Sequence, residues 1–362
     1  MAWIALSDGT HGRFDPAGID PLPHDSPLPE AGPNTVLNRG SLVIEIRGLD
    51  NEWLAPILDI RRSSPCPFCL RLGPDYDGAL HFQLGQGDHL TGCRVPVTEN
   101  STAERLRLTY SWDVALQTAQ LTVVEVGADT LHLHNLPAPQ PIPVDVFAWL
   151  VDPGKCSYPP GLSFLALSTD IVAAGPAPSL CLDTIVSTLD GPTPVGHLRR
   201  GDMVVTGSGE PLPVLATLCW QVPAMGSFKP LQVRPPYFGL RRPITMAPFQ
   251  RLFMSGNDVE DLFGHEHVLV AAEHLPSSVR NRMPDRWTVQ YAQILLPRHA
   301  RVRASGAEVE SLYFGEMGRN RDWLVASHLD GRCRVHLPDH GAPASTVLGR
   351  FAASVLTEGR AA

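Results

Sequence analysis

The chain lacks a basic excess. Its 362 residues carry 29 Lys and Arg against 37 Asp and Glu, a net charge of −8, with no basic tail or stripe. The electrostatic footprint of a nucleic-acid binder is therefore missing. It also lacks an apolar run of the ~20 residues that span a bilayer; the nearest candidate, Leu162 to Leu182, is broken by Asp170, Pro176 and Pro178. The first eight residues, Met1 to Asp8, have no basic flank and too short an apolar stretch for a signal peptide. Cysteines are few and odd in number: Cys66, Cys69, Cys93, Cys156, Cys181, Cys219 and Cys333. An odd set cannot pair fully within one chain, which excludes a disulfide framework. Charged residues are only 18% of the chain and hydrophobic ones 43%, so it can bury real cores and is not globally disordered.

Glycine (31) and proline (35) are over-represented. That much turn chemistry disfavours long helices and favours short strands joined by loops. Residues 1–33, rich in Asp, Pro, Gly and His beyond Asp8, are expected to be irregular. Strand patterns follow at Ser41–Arg47, Ala79–Leu84, Arg105–Trp112 and Gln120–Val126. In Arg105–Trp112, Leu and Tyr fall on one face and Arg, Thr and Ser on the other, the alternation of a half-buried strand. A β-sandwich is expected over 34–150. Proline-rich breaks at 137–143, 152–160 and 173–178 mark a linker over 151–177. A second strand-rich region runs from Leu180 to about Gly315. The tail, 317–362, contains a short helix or strand at Arg321–Leu329.

The chemistry centres on Cys181. It precedes the strand-like Thr184–Thr188, an Asp190-Gly191 turn, and Val195-Gly196-His197-Leu198-Arg199-Arg200-Gly201-Asp202-Met203-Val204-Val205-Thr206. A cysteine in that context resembles the start of a Hedgehog/intein (Hint) domain, and more narrowly a bacterial Hint family. Later segments agree: Asp261–Gly264 with Val268–Leu275, then Val289–His299, then Gly306–Gly315. The resemblance covers about Leu180 to Gly315. It implies an all-β chain, a sandwich followed by a Hint-type β domain, and self-processing with the protein's own chain as substrate. Cys181 would attack the Leu180 carbonyl in an N-to-S acyl shift. Such a step needs an activated thiol, a stabilised oxyanion and an acid to protonate the leaving amide nitrogen.

The chain departs from that pattern. The family's acid histidine falls on Gln250, and the Ser or Thr three residues before it falls on Ala247. A second family histidine falls on Gln293. Glutamine donates hydrogen bonds but delivers no proton near neutral pH. The turn after Cys181 is two residues shorter than usual, and no His-Asn pair ends the chain, which argues against splicing. His299 is the best remaining basic group, with His265, His267 and His274 as further candidates; surface or strand-edge roles are the alternative for all four. Autoprocessing is expected to be slow or absent. The competing reading is a non-catalytic binding protein that acts through its sandwich.

Other signals carry less. Cys66-Pro67-Phe68-Cys69 lacks the second pair of a zinc site and the βαβ setting of a redox motif; structural cysteines or a local disulfide are expected. His265-Glu266-His267 has metal-ligand residue types without metal-site spacing. No metal or cofactor is expected. Asn100-Ser101-Thr102 reads as a loop, and His132-Leu133-His134 as the exposed face of a strand. Phe82, Tyr110 and Trp112 read as core or rim aromatics. The first domain resembles laminin-G or lectin-like sandwiches, which implies a carbohydrate or surface partner without naming a binding residue. The Hint resemblance would place the protein outside the cell or on its surface; the absence of a visible signal peptide leaves a cytoplasmic location as the alternative.

Overall fold

The computed structural model describes every residue except 1, 24, 26–34, 48–57, 65, 75–78, 97–104, 128–130, 159–160, 282, 328–336 and 362, and the side chains at 316 and 317. The chain divides into two compact units, Met1–Ala174 and Gly175–Ala362. Both are mainly β.

Unit 1 holds a seven-stranded and a four-stranded antiparallel sheet. Its strands are β1 (Trp3–Ser7), β2 (Gly12–Phe14), β3 (Val36–Leu37), β4 (Arg39–Arg47), β5 (Leu58–Arg62), β6 (Phe68–Pro74), β7 (Leu80–Gln86), β8 (His89–Val95), β9 (Arg105–Asp113), β10 (Thr118–Glu125), β11 (Leu131–Leu136), β12 (Ile142–Pro143) and, after helix α1 (Val144–Leu150), β13 (Leu162–Ser168). The large sheet runs β11-β10-β9-β4-β13-β1-β2 and the small one β5-β6-β7-β8. Period-2 alternation sends Leu42, Ile44 and Ile46 of β4 and Leu106, Leu108, Tyr110 and Trp112 of β9 into one core. There they meet Leu70, Leu72, Phe82 and Leu84 of the small sheet. Phe82 packs tilted against Tyr110 at 5.7 Å, and Tyr110 stacks on Trp112 at 5.6 Å. All three are interior, so they form packing and not a sugar platform.

Two expectations need correction. Residues 1–33 are not wholly irregular: Trp3–Ser7 and Gly12–Phe14 are strands of the large sheet. Residues 151–177 are not simply a linker: Leu162–Ser168 is an inner strand pairing with both β4 and β1. The reason is physical. Every residue of β1 and β13 is buried. A strand covered on both faces shows an unbroken apolar run, so the alternation that marks the other strands is absent. His132, Leu133 and His134 are half-buried rather than exposed. Cys66 and Cys69 are unpaired thiols, so the local disulfide is not formed. Asn100–Thr102 and Cys333 lie outside the described residues.

Unit 2 contains β14 (Leu180–Cys181), β15 (Ile185–Thr188), β16 (Gly191–Pro194), β17 (Met203–Val205), β18 (Pro211–Pro213), β19 (Ala216–Pro223), β20 (Leu231–Val233), β21 (Ile244–Met246), β22 (Arg251–Ser255), β23 (His267–Ala271), β24 (Arg280–Asn281), β25 (Thr288–Leu295), β26 (Arg301–Ala304), β27 (Ala307–Glu310) and β28 (Thr346–Val347), with helices α2 (Asn257–Phe263), α3 (Arg321–Ala326) and α4 (Arg350–Ala361). A six-stranded sheet has the order β19-β25-β14-β21-β20-β24; a nine-stranded sheet carries the rest. Leu180, Met246, Ala292, Leu252, Val268 and Val309 share one core. The tail packs on this unit: Leu348, Ala353 and Leu356 enter the same core. Among the described residues, no helix is long and apolar enough to cross a membrane.

Candidate processing site

The candidate peptide bond, Leu180–Cys181, lies inside the six-stranded sheet. Leu180 pairs with Met246 on one side and Ala292 on the other, and Cys181 pairs with Tyr291. The proline-rich lead-in ends at Pro178. The next three residues are apolar or small enough to be buried: Ser179, Leu180 and Cys181 are 2%, 0% and 8% exposed. The Ala247 N–H donates to the Ser179 carbonyl at 2.7 Å. After Cys181 the chain turns at once, the Thr184 N–H donating to the Cys181 carbonyl at 2.9 Å.

Burial pushes the Cys181 thiol up to about 12, and the Asp183 carboxylate adds to the rise; the Arg286 guanidinium opposes it. Desolvation disfavours a thiolate, which would otherwise be the attacking form. The face beside Cys181 is aromatic. Tyr291 donates its hydroxyl to the Phe228 carbonyl at 2.9 Å, and Phe228 meets Trp220 and Phe249 edge-on at 6.4 and 5.9 Å.

The two glutamines that stand at histidine positions meet in space. The Ser179 hydroxyl donates to Gln250 Oε1. Gln293 Nε2 donates to the same oxygen at 3.2 Å and to the Ser179 hydroxyl at 3.2 Å. Gln250 Nε2 donates to the Arg251 carbonyl at 2.8 Å and to the Glu310 carbonyl at 3.3 Å. Gln293 Nε2 also reaches the Glu310 carbonyl at 3.4 Å, and Gln293 Oε1 accepts from the Ile294 N–H at 3.3 Å. Both glutamines are buried. Their four amide ends are occupied by neutral partners, as buried polar groups must be.

His299 is not brought to Cys181. Its Nδ1 accepts from the Ala344 N–H at 2.9 Å. Its Nε2 lies 3.1 Å from Glu310 Oε1 but off the hydrogen-bond axis. Its ring packs against Tyr313, Phe253 and His340. It lies beside Glu310, whose main-chain carbonyl bonds both amides. The other histidines lie elsewhere: His265 touches Thr346, His267 engages Arg301 and Glu266, and the His274 carbonyl accepts from Thr357. Among the described residues no group of three or more His, Cys, Asp and Glu is placed to hold a metal ion.

Sequence reasoning places Cys181, Gln250 and Gln293 in the site and misses Ser179 and Glu310. Ser179 carries no signal beyond standing two residues before Cys181. Glu310 enters through its carbonyl, which no side-chain pattern can announce.

A family profile described as a Hint domain matches residues 178–316. Those residues form a Hint domain. Two of the solved structures similar to part of the chain are inteins. The MchDnaB-1 intein is 14% identical with a TM-score of 0.25, over 37% of this chain and 99% of that one. The gp41-1 intein is 10% identical with a TM-score of 0.24, over 37% of this chain and 98% of that one. No curated protein matches. The profile begins at Pro178 and Ser179, so it includes the hydroxyl that the two glutamines grip. It ends at residue 316, so α3, the segment that contacts His299, and α4 lie beyond the matched residues.

Proposed function

We propose that the Hint domain is a self-processing module whose N-to-S acyl shift at Leu180–Cys181 runs very slowly or not at all. The reaction would join Cys181 Sγ to the Leu180 carbonyl carbon and break the Leu180–Cys181 C–N bond. The thiol proton would end on the nitrogen, which becomes a free amine. Two requirements are poorly met. A thiol at about 12 is ionised at neutral pH to a fraction on the order of 10⁻⁵, against a few per cent for an ordinary cysteine. The leaving nitrogen needs a proton, and a missing positioned acid costs about 10²–10⁴ in rate.

The observation that carries this reading is the Gln250–Gln293–Ser179 network. Two neutral amides bond one another and the acyl-side flank where the resemblance expects imidazole. Neither can release a proton, and neither has a free end to turn toward the nitrogen.

The test is restoration. The triple variant Ala247→Thr, Gln250→His, Gln293→His supplies the family's acid and its neighbour. On denaturing gels with added dithiothreitol it is expected to yield two fragments split at Leu180–Cys181, while the unaltered chain yields one band. Adding Cys181→Ala to the triple variant is expected to abolish the split. Cleavage of the unaltered chain as fast as the triple variant would sink the proposal.

A further inference from the structure

Residues 339–347 run as a strap between α3 and α4, and histidines hold much of it. The Ala344 N–H donates to His299 Nδ1 at 2.9 Å. His340 Nε2–H donates to the Leu296 carbonyl at 3.0 Å. His265 Nε2 lies 3.1 Å from the Thr346 hydroxyl. Non-titrating contacts complete the hold: the Tyr313 hydroxyl donates to the Gly341 carbonyl at 3.1 Å, and β28 pairs in parallel with β23.

One of these contacts, and the burial of a second ring nitrogen, depend on protonation state. A ring nitrogen that accepts an amide N–H carries no proton, so the Ala344 contact can be made only by a neutral His299 ring. A second proton would set Nδ1–H against the Ala344 N–H and replace a hydrogen bond by repulsion. His340 Nδ1 is buried with no hydrogen-bond partner among the described residues, so its cationic form would carry a donor with no acceptor. The two rings are 6.4 Å apart and nearly parallel, so charging both also sets like charges face to face.

The surroundings do not cancel these effects. Glu310 Oε1, 3.1 Å from His299 Nε2, favours a charged ring, but the same oxygen pairs with Arg251 at 3.1 Å. Asp339 favours a charged His340, yet it is engaged with Arg319 at 3.1 Å. The remaining faces are aromatic: Tyr313 is 4.8 Å from the His299 ring, Phe314 4.3 Å from the His340 ring, and Phe253 6.3 Å from His299.

We propose that residues 339–347 form an acid-released strap, closed while His340 is neutral and opened when it takes up a proton. Opening would bare the edge of β23 at Val268 and Leu269 and uncover the Glu310 cluster behind the two glutamines. The device does not require Cys181 to react. Burial holds His340 below the ordinary value of 6.5 in the closed form, against the opposing pull of the Leu296 carbonyl, with His299 adding to the depression. The open form therefore binds the proton more tightly. Closure is complete above the ordinary histidine range and is lost as pH falls below it.

Hydrogen exchange of the full chain tests this, read by mass spectrometry on peptides covering residues 339–348. Protection is expressed relative to an unstructured chain to remove the intrinsic pH effect. Between about pH 7.5 and about pH 5 the strap is expected to lose roughly tenfold or more of its protection, while Thr288–Leu295 keeps its own. The double variant His299→Asn, His340→Gln keeps an acceptor and a donor but cannot charge. Its loss is expected to stay under about twofold. Equal wild-type protection at both pH values overturns the proposal, as does an undiminished loss in the double variant. Should the double variant be open at both pH values, His340→Gln alone decides. A loss smaller than wild type supports the strap, and an equal loss overturns it.

Discussion

Replacing Gln250 by leucine keeps the side-chain bulk and removes the amide. Four hydrogen bonds go with it: from Ser179, from Gln293, to the Arg251 carbonyl and to the Glu310 carbonyl. Ser179 and Gln293 keep their 3.2 Å bond to one another, so neither is wholly orphaned. At about 1 kcal/mol net for each lost bond, the cost is about 4 kcal/mol, with the added apolar contact offsetting a small part. That is a large fraction of the roughly 5–15 kcal/mol that holds a domain folded. With a slope near 2 kcal/mol per molar urea, the midpoint should fall by about 2 M. The assay is a urea series read by hydrogen exchange on peptides from residues 175–362, which separates this unit from the other. A shift under about 0.5 M would mean that the amide network contributes little and that the site is loosely held.

Three other expectations are independent. Iodoacetamide labelling at mild alkaline pH should modify exposed Cys66 about a thousandfold faster than Cys181, whose thiol is held near 12; comparable rates by peptide mass spectrometry would refute the burial of that thiol. Trp112→Ala should destabilise unit 1 by about 3–5 kcal/mol, because it empties the middle of the Tyr110–Trp112–Phe147 stack; urea denaturation followed on unit 1 peptides checks it. Glu45→Ala should cost a similar ~3–5 kcal/mol by leaving the buried Arg107 guanidinium without the carboxylate 3.2 Å away; a near-neutral midpoint shift would show that other partners carry that charge.

What is legible in the sequence follows from periodicity. Strands β7, β9 and β10 alternate in sequence, and β4, buried along its seven central residues, shows as an apolar β-branched run, so the order of their residues is enough to mark them as strands. Strands β1 and β13 are buried throughout as well, but β1 is a short run at the start of the chain and β13 lies between proline-rich breaks, so the first reads as a lead-in and the second as linker. Helix α4 is hidden in a tail: its core residues Ala353 and Leu356 are only two apolar points three residues apart. The site divides the same way. Cys181 is legible because strand and turn residues around it form a pattern. Gln250 and Gln293 are legible singly as departures. Their mutual hydrogen bond joins positions 43 apart in sequence, which only the sheet order β25-β14-β21 makes adjacent. His299 stands out only by elimination among histidines, a procedure blind to the strap that occupies its Nδ1.

The central claim is that Leu180–Cys181 persists. The direct measurement is the intact mass of the purified chain over several days at neutral pH, with and without dithiothreitol. The account predicts one unchanged full-length mass in both samples. A fragment ending at Leu180 that grows with time, and that is absent in Cys181→Ala, would contradict it and would mean that some other group protonates the leaving nitrogen despite the paired glutamines.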